Sequence, residues 1–388
     1  KYYNNLININ EIKNKFSQYK KILFVMTILT IIVIYFIGMA YSSYTITAKY
    51  ARAEHPYHLM SVVRQEDNQL VKDNIKNVVE EHNIQVLRKE NLEFIEAIVY
   101  KETGGNKGWF GSVEVISEEA YNHLSKTNIA LDQGEAITLV KLTKPERNQW
   151  FNDDIVRLKI DKNVYDLEFK KEITKILVNN SKKTSRFMVI LDNSDYQKMS
   201  KESGPKNLGI LNLYNFKEWK EAGLVSKQLD DFMEEKIDYT QQNDSSVVRY
   251  EVTSRIEFFK ILKEQYSIYL FLMGFIGLLF FVSSGSVLYL KLFDDLNRIK
   301  IKFEKLFRVG ISSSEIKQII SKELAFVFFA PLVLGSMVGL LFIRITTTNF
   351  YLQQDIMLNT LIVVGIYSIL QYIFYLAARK KYLKEINF

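Results

Sequence analysis

Apolar residues along the chain gather into four uncharged runs, Ile22 to Tyr41, Tyr266 to Leu290, Leu324 to Ile343 and Met357 to Ala378, each bounded by charges. A helix rises 1.5 Å per residue, so about twenty residues span a hydrocarbon core of roughly 30 Å. Each run is predicted to be a transmembrane helix. Four such runs exclude a soluble protein with buried core helices. The first is not a cleaved signal peptide, because its apolar core is too long and no small-residue cleavage site follows.

Lys and Arg near the runs predict orientation. Lys13, Lys15, Lys20 and Lys21 precede the first run; Lys291, Arg298, Lys300, Lys302, Lys305, Arg308, Lys317 and Lys322 lie between the second and third; Arg379, Lys380, Lys381 and Lys384 follow the fourth. The link 346–356 has only Asp355. The positive-inside rule then puts both termini and the 291–323 loop in the cytoplasm and the large segment after the first run outside. The predicted fold class is a membrane protein of four transmembrane α-helices with a large extracytoplasmic α+β domain inserted between the first and second. Its segments are a cytoplasmic interfacial helix at 1–21, a span at 22–43, the outer domain with stalk helices at 44–265, a span at 266–290, a cytoplasmic coupling hairpin at 291–323, a span at 324–345, an outer loop at 346–356, a span at 357–378 and a cytoplasmic tail at 379–388. The expected location is the bacterial plasma membrane.

Within 1–21, the spacing of Ile9, Ile12, Phe16 and Tyr19 beside lysines predicts a short helix in the inner interface, before the chain turns into the first span. After that span helical residues continue to Glu54 and stop at Pro56, a first stalk. The outer segment alternates helix and strand patterns: Ile75 to His82 helical, Ile95 to Tyr100 and Ser112 to Ile116 as strands, with Thr103 to Gly108 as the turn. Val113 to Tyr121 resembles Met188 to Tyr196, each reading as strand, acidic turn and helix. A duplicated half-domain and a chance likeness both fit. Val247 to Val252 is strand-like, and Thr253 to Gln265 predicts a second stalk helix entering the second span.

The formal net charge of +7 does not point to nucleic acid. Between residues 44 and 259 there are 31 Lys and Arg against 35 Asp and Glu, so the surplus base belongs to the membrane segments and cytoplasmic loops. A slightly acidic outer domain favours cationic ligands. Without cysteine, that domain is held by its core and not by disulfides.

Catalytic signatures are missing. Gly104 to Gly108 lacks P-loop spacing, and neither His-Glu-x-x-His nor Gly-x-Ser-x-Gly occurs. Pro56 breaks the helix that would align His55 and His58, so no metal site is expected. The chain reads as a non-catalytic subunit.

The 291–323 loop is more informative. Leu296, Ile299, Phe303, Leu306 and Phe307 form an amphipathic helix ending at Gly310, and Ser312 to Glu315 reads as a capping box, with Ile311 and Ile316 as its hydrophobic staple. The hairpin tip presents Phe307, Arg308, Val309, Gly310, Ile311, Ser312 and Glu315. Such a tip docks on a partner or packs on the chain's own helices. In the third run Gly335 and Gly339 make a small-xxx-small face for helix packing, and Gln371 is a polar group in the fourth that calls for a partner helix.

The run from Leu288 to Gly335, LYLKLFDDLNRIKIKFEKLFRVGISSSEIKQIISKELAFVFFAPLVLG, resembles the membrane subunits of FtsX/MacB-type ABC transporters. Val115 to Asn122 and Tyr214 to Trp219 are similar to outer-domain phrases of the BceB-like permeases, which confer resistance to bacitracin and other cell-wall-directed antimicrobial peptides. The resemblance implies a permease without a cofactor of its own, since ATP and Mg are bound by a partner ATPase subunit, a dimer, that engages the hairpin tip. It further implies a membrane histidine kinase as partner, and a peptide antibiotic or its lipid-linked complex as ligand. Candidate ligand contacts are Trp109, Phe110, Lys182, Lys183 and Arg186. Permeases of that group have ten spans, six of them before the position matching Lys1, so the chain is expected to be either the C-terminal portion of a longer permease, the reading favoured here, or a four-span unit that dimerises. A MacB-like efflux or lipoprotein-extraction permease, an FtsX-like regulator of a wall hydrolase, and a receptor without an ATPase are the alternatives.

Overall fold

The structure, a computed structural model, describes residues 2–103, 106–143, 155–181, 185–237, 247–294, 296, 300–301, 308 and 312–386, with side chains described from residue 19 onward except at 101–107, 109 and 110. Two compact units form, one from Lys1–Ile46 with Lys263–Phe388 and the other from Thr47–Leu262.

The first unit holds helix α1 (Tyr2–Glu54) up to Ile46, most of α6 (Arg255–Asp294), and α7 (Ser313–Thr346) and α8 (Gln353–Ile386). Each of these four helices is long and apolar enough to cross a membrane. The turn expected before the first span does not form: α1 is one unbroken helix of 53 residues. No glycine or proline occurs before Gly38 to interrupt its ladder, and Lys20 and Lys21 are good helix formers. Helix α7 is apolar on both faces. Leu332, Gly335, Ser336, Gly339 and Ile343 are buried, while Val333, Leu334, Met337, Leu341 and Phe342 are exposed. Exposed leucines and phenylalanines on one side and close packing on the other suit a lipid solvent.

The second unit is built on nine strands among the described residues: β1 (Leu59–Arg64), β2 (Val86–Thr103), β3 (Asn106–Ser117), β4 (Glu135–Val140), β5 (Ile155–Ile160), β6 (Asn163–Thr174), β7 (Phe187–Leu191), β8 (Leu208–Phe216) and β9 (Glu251–Ser254). They pair in the order β3-β7-β4-β6-β5-β2-β8-β1-β9, and β2 pairs with β3 as well, so six strands close into a ring. The length of β2 permits this. Its residues from Val86 to Ile95 pair with β8, and those from Ile95 onward pair with β3 and β5. The strands read at Ile95 to Tyr100 and Ser112 to Ile116 are therefore longer than their patterns, and Asn106, Lys107 and Gly108, expected in the turn, pair in β3 with Thr103, Glu102 and Lys101. Side chains from all six ring strands, among them Val99, Val115, Ala136, Leu158, Leu167 and Val189, form one apolar cluster.

On β1, Met60 and Val62 join one cluster and Leu59 and Val63 another, the period-two alternation of a strand buried on both faces. Helices α2 (Asn68–Glu81) and α5 (Ala222–Lys236) cover the second of these. Gly209 on β8 faces Phe94 on β2, and a Cβ there would lie 2.3 Å from the ring. The two similar segments are neighbours. Strands β3 and β7 run parallel with Glu114 opposite Met188, and each leads through a side-chain cap, Ser117 or Asp192, into α3 (Glu118–Ser125) or α4 (Asn193–Glu202).

Three charged residues are buried together on the ring. Glu96 and Glu114 are cross-strand partners, and Lys141 Nζ lies 3.0 Å from Glu114 Oε2. The backbone N–H of Ser185 donates to Glu114 Oε1 at 2.8 Å. Burial and the adjacent Glu114 charge push the pKa of Glu96 well up, so the folded chain keeps a proton there to higher pH than the unfolded chain does. Below the unfolded-state value of about 4.3 both states hold this proton and the full stability is present. As pH rises towards the folded value only the unfolded chain releases it, so stability falls. The Glu96→Gln variant is expected to flatten that slope, gaining more in thermal midpoint at pH 8 than at pH 5 in detergent; an equal gain at both would contradict it.

Candidate force-transmitting site

The last turn of a helix leaves four carbonyls without partners. At and just beyond the end of α1, donors from elsewhere in the chain meet the free carbonyls. Arg255, the first residue of α6, donates from Nε to the His55 carbonyl at 2.6 Å and from Nη2 to the Pro56 carbonyl, and its own N–H donates to the His58 carbonyl at 3.0 Å. The backbone of Asn180 donates to the Glu54 carbonyl at 2.9 Å. A guanidinium is unfavourable at the N-terminus of its own helix and favourable at the C-terminus of another, so its worth here comes from α1. The loop between is anchored to β8: the His58 N–H donates to the Tyr214 carbonyl, and the Phe216 N–H donates to His58 Nδ1, both at 3.0 Å. Pro56 ends α1, as the sequence requires, and the bend it forces is what Arg255 binds. Burial and the neighbouring guanidinium hold both His55 and His58 down to about 4, so both rings are neutral at physiological pH.

Further along the two helices Lys263 donates to the Tyr44 carbonyl at 3.3 Å, with its ammonium 3.2 Å from the centroid of the Tyr44 ring. These ties were not read from the sequence. Lone cations beside a helix end have no periodic signature, although Arg255 does stand at the change from strand to helix pattern.

The predicted site residues fare differently. The capping box is present: Ser312 Oγ accepts from the Glu315 N–H at 3.3 Å, and Glu315 Oε2 accepts from the Ser312 N–H at 3.0 Å. Of the rest of the tip, Arg308 is helical and exposed. Phe307, Val309, Gly310 and Ile311 lie outside the described residues, as do Lys182 and Lys183. Trp109 and Phe110 lie in β3, with side chains outside the described set. Arg186 lies close enough to Glu54, the last residue of α1, to act on its charge, and its carbonyl accepts from the Lys141 N–H at 2.9 Å.

Gly335 and Gly339 face α1. A Cβ on Gly335 would lie 2.7 Å from Thr30 Cβ, and one on Gly339 would lie 3.2 Å from Ile34 Cγ2. Gln371 donates to the Phe328 carbonyl at 3.2 Å, beside the Val327 carbonyl that Pro331 leaves without its helical donor.

No family model matches the chain. The uncharacterized ABC transporter permease YvcS of Bacillus subtilis (strain 168) is 24% identical over 289 residues, covering 73% of this chain and 42% of the relative. The ABC transporter permease protein YxdM of the same strain is 30% identical over 175 residues, 45% of this chain and 26% of the relative. This chain is a relative of ABC transporter permeases. The bacitracin export permease protein BceB of Halalkalibacterium halodurans is 25% identical over 196 residues, 48% of this chain and 30% of the relative. The chain thus spans less than half the length of each of these permeases. The resemblance to ABC transporter permeases is borne out by them.

Two outcomes follow for this relative of the permeases. Arg255→Met leaves the part-buried His55 and Pro56 carbonyls without their donor, at about 1 kcal/mol for each, and is expected to lower the thermal midpoint of the purified chain; an unchanged midpoint would show the tie to be dispensable. Gly335→Leu is expected to abolish a monodisperse peak in size-exclusion chromatography, whereas Gly274→Leu, where a Cβ meets nothing within 4 Å, is expected to keep it.

Proposed function

We propose that this chain forms part of the permease of an ABC transporter that senses or removes cell-wall-directed antimicrobial peptides such as bacitracin or lantibiotics, with the sheet domain outside the membrane and the 291–323 hairpin in the cytoplasm. A separate ATPase subunit, which binds ATP and Mg, closes on nucleotide and moves the hairpin tip. Helices α1 and α6 carry that movement to the sheet domain and change its hold on the peptide or its lipid-linked target. Coupling between two sites is reciprocal, so ligand on the domain also alters nucleotide handling by the ATPase. A histidine kinase that shares this membrane fits as the receiver of that signal.

The observation that carries the reading is the junction at Arg255. It ties the end of one apolar helix to the start of another where both meet the sheet, the arrangement a mechanical link requires. The relatives' description as ABC transporter permeases supports the ATPase partner, and the one named for bacitracin export supports the choice of ligand. The capping box supports a defined helix start after the tip, worth about 1 kcal/mol.

The test is co-purification. Ile311→Asp puts a charge in the apolar tip and Gly310→Pro removes its helix stop. Each is expected to lower recovery of the ATPase with the tagged, membrane-inserted chain at least about tenfold, the effect of losing ~1.4 kcal/mol of binding. Full recovery with both variants would favour a receptor that works without an ATPase.

A further inference from the structure

Strand β9 ends the sheet, and no strand among the described residues pairs with its outer edge. Its register with β1 is regular, from Leu59 opposite Ser254 to Val62 opposite Glu251. The N–H of Arg255 donates to the His58 carbonyl at 3.0 Å, one step beyond that register. Bonded and non-bonded pairs alternate along an antiparallel ladder, so Thr253 and Glu251 also bond to β1. The N–H and C=O of Val252 and the N–H of Ser254 therefore point away from β1, to the outer edge.

A cavity of about 390 Å³ runs along that edge, and all four residues of β9 line it. Their side chains go to opposite faces of the sheet. Thr253 Oγ1 accepts from Asn179 Nδ2 at 3.4 Å on one face, and Ser254 Oγ lies 3.3 Å from Ser226 Oγ of α5 on the other. A cavity that touches both sets lies at the edge between the faces, where the outward amide groups are. Beyond the strand its wall includes Phe258 and Ile261 of α6 and Tyr50 of α1, with the Tyr50 and Phe258 ring centroids 6.1 Å apart. Ile261 is 55% exposed.

An unpaired strand edge is a template for another extended chain. Proteins blunt such edges with lysine, proline or a bulge, and β9, with Glu251, Val252, Thr253 and Ser254, has none of these. Outward amide groups two residues apart beside an apolar wall fit one ligand chemistry, a peptide in extended conformation. Such a peptide presents a matching N–H and C=O at every second residue and alternates its side chains between the two faces. From Val252 to Ser254 the edge runs about 7 Å, the reach of a tripeptide.

We propose that β9 accepts an extended stretch of a peptide ligand as an added antiparallel strand. A ligand residue opposite Val252 exchanges two hydrogen bonds with it, the Ser254 N–H donates a third to a ligand carbonyl, and an apolar ligand side chain lies on Tyr50, Phe258 and Ile261. Recognition of a peptide backbone stands on the edge and the cavity alone; that the ligand is the peptide to which a transporter responds rests on the resistance-permease reading. Strand β9 leads directly into Arg255, so the added strand adjoins the tie between α1 and α6.

The test uses the full chain in lipid nanodiscs without any ATPase. Calorimetry compares acetyl-Val-Thr-Val-amide with the same peptide methylated on its three residue nitrogens, which keeps the side chains and removes the backbone donors. The unmethylated peptide is expected to bind at least about tenfold more tightly, the factor ~1.4 kcal/mol supplies. Val252→Pro removes an outward N–H and none of the bonds to β1, so the folded variant is expected to lose that advantage. Equal binding of the two peptides to the unaltered chain, or binding of neither, would overturn the proposal whether or not the variant folds. So would an advantage that survives in a folded Val252→Pro chain. Full recovery of the ATPase with both hairpin variants would sink the transporter reading and leave a strand-accepting edge standing, so the two can fail separately.

Discussion

The structure depends on how two long helices end and begin at one place. Pro56 stops helix α1 and leaves the carbonyls of His55 and Pro56, just beyond its last residue, to find donors elsewhere. Arg255 supplies them from the start of α6 with a planar, charged fork that reaches both carbonyls together. A lysine could bond one of them. The loop 55–58 is bonded in turn to β8, a strand buried on both faces, so both helix ends are tied to the sheet.

The same economy of backbone hydrogen bonds governs the apolar helices. In hydrocarbon every peptide group must be satisfied within the protein, and the apolar runs are accordingly helical throughout, with Gln371 of α8 donating to the Phe328 carbonyl of α7. Close approach is bought with small residues: where Gly335 and Gly339 meet Thr30 and Ile34, a larger side chain on the glycine would have to displace α1. Association of these helices then rests on packing and not on exclusion of water.

Features encoded by local pattern were legible from the residues alone. The four apolar runs, the stop at Pro56 and the reciprocal bonds of Ser312 and Glu315 each depend on neighbours a few positions apart. What was not legible depends on distant partners or on context. The separate N-terminal helix was inferred from a face of apolar spacing, but spacing does not break a helix, and nothing before Gly38 does. The closed ring could not be read because β2 changes partners halfway along its length, and β5 and β6 return to it from over fifty residues away. Glu96, Glu114 and Lys141 look like solvated charges in sequence, yet strand pairing turns them inward together. Arg255 and His55 carry no motif, and their roles arise only when residues two hundred positions apart are brought together.

The central claim is that the sheet domain lies outside the membrane while the ends of the apolar helices that follow it return to the cytoplasm. Because the chain has no cysteine of its own, single cysteines report this directly. Lys198→Cys on α4 and Lys380→Cys on α8, both at exposed positions, are treated in intact cells with a membrane-impermeant maleimide. The account predicts that the first is labelled at once and the second only after the membrane is opened; labelling of the second in intact cells with protection of the first would contradict it.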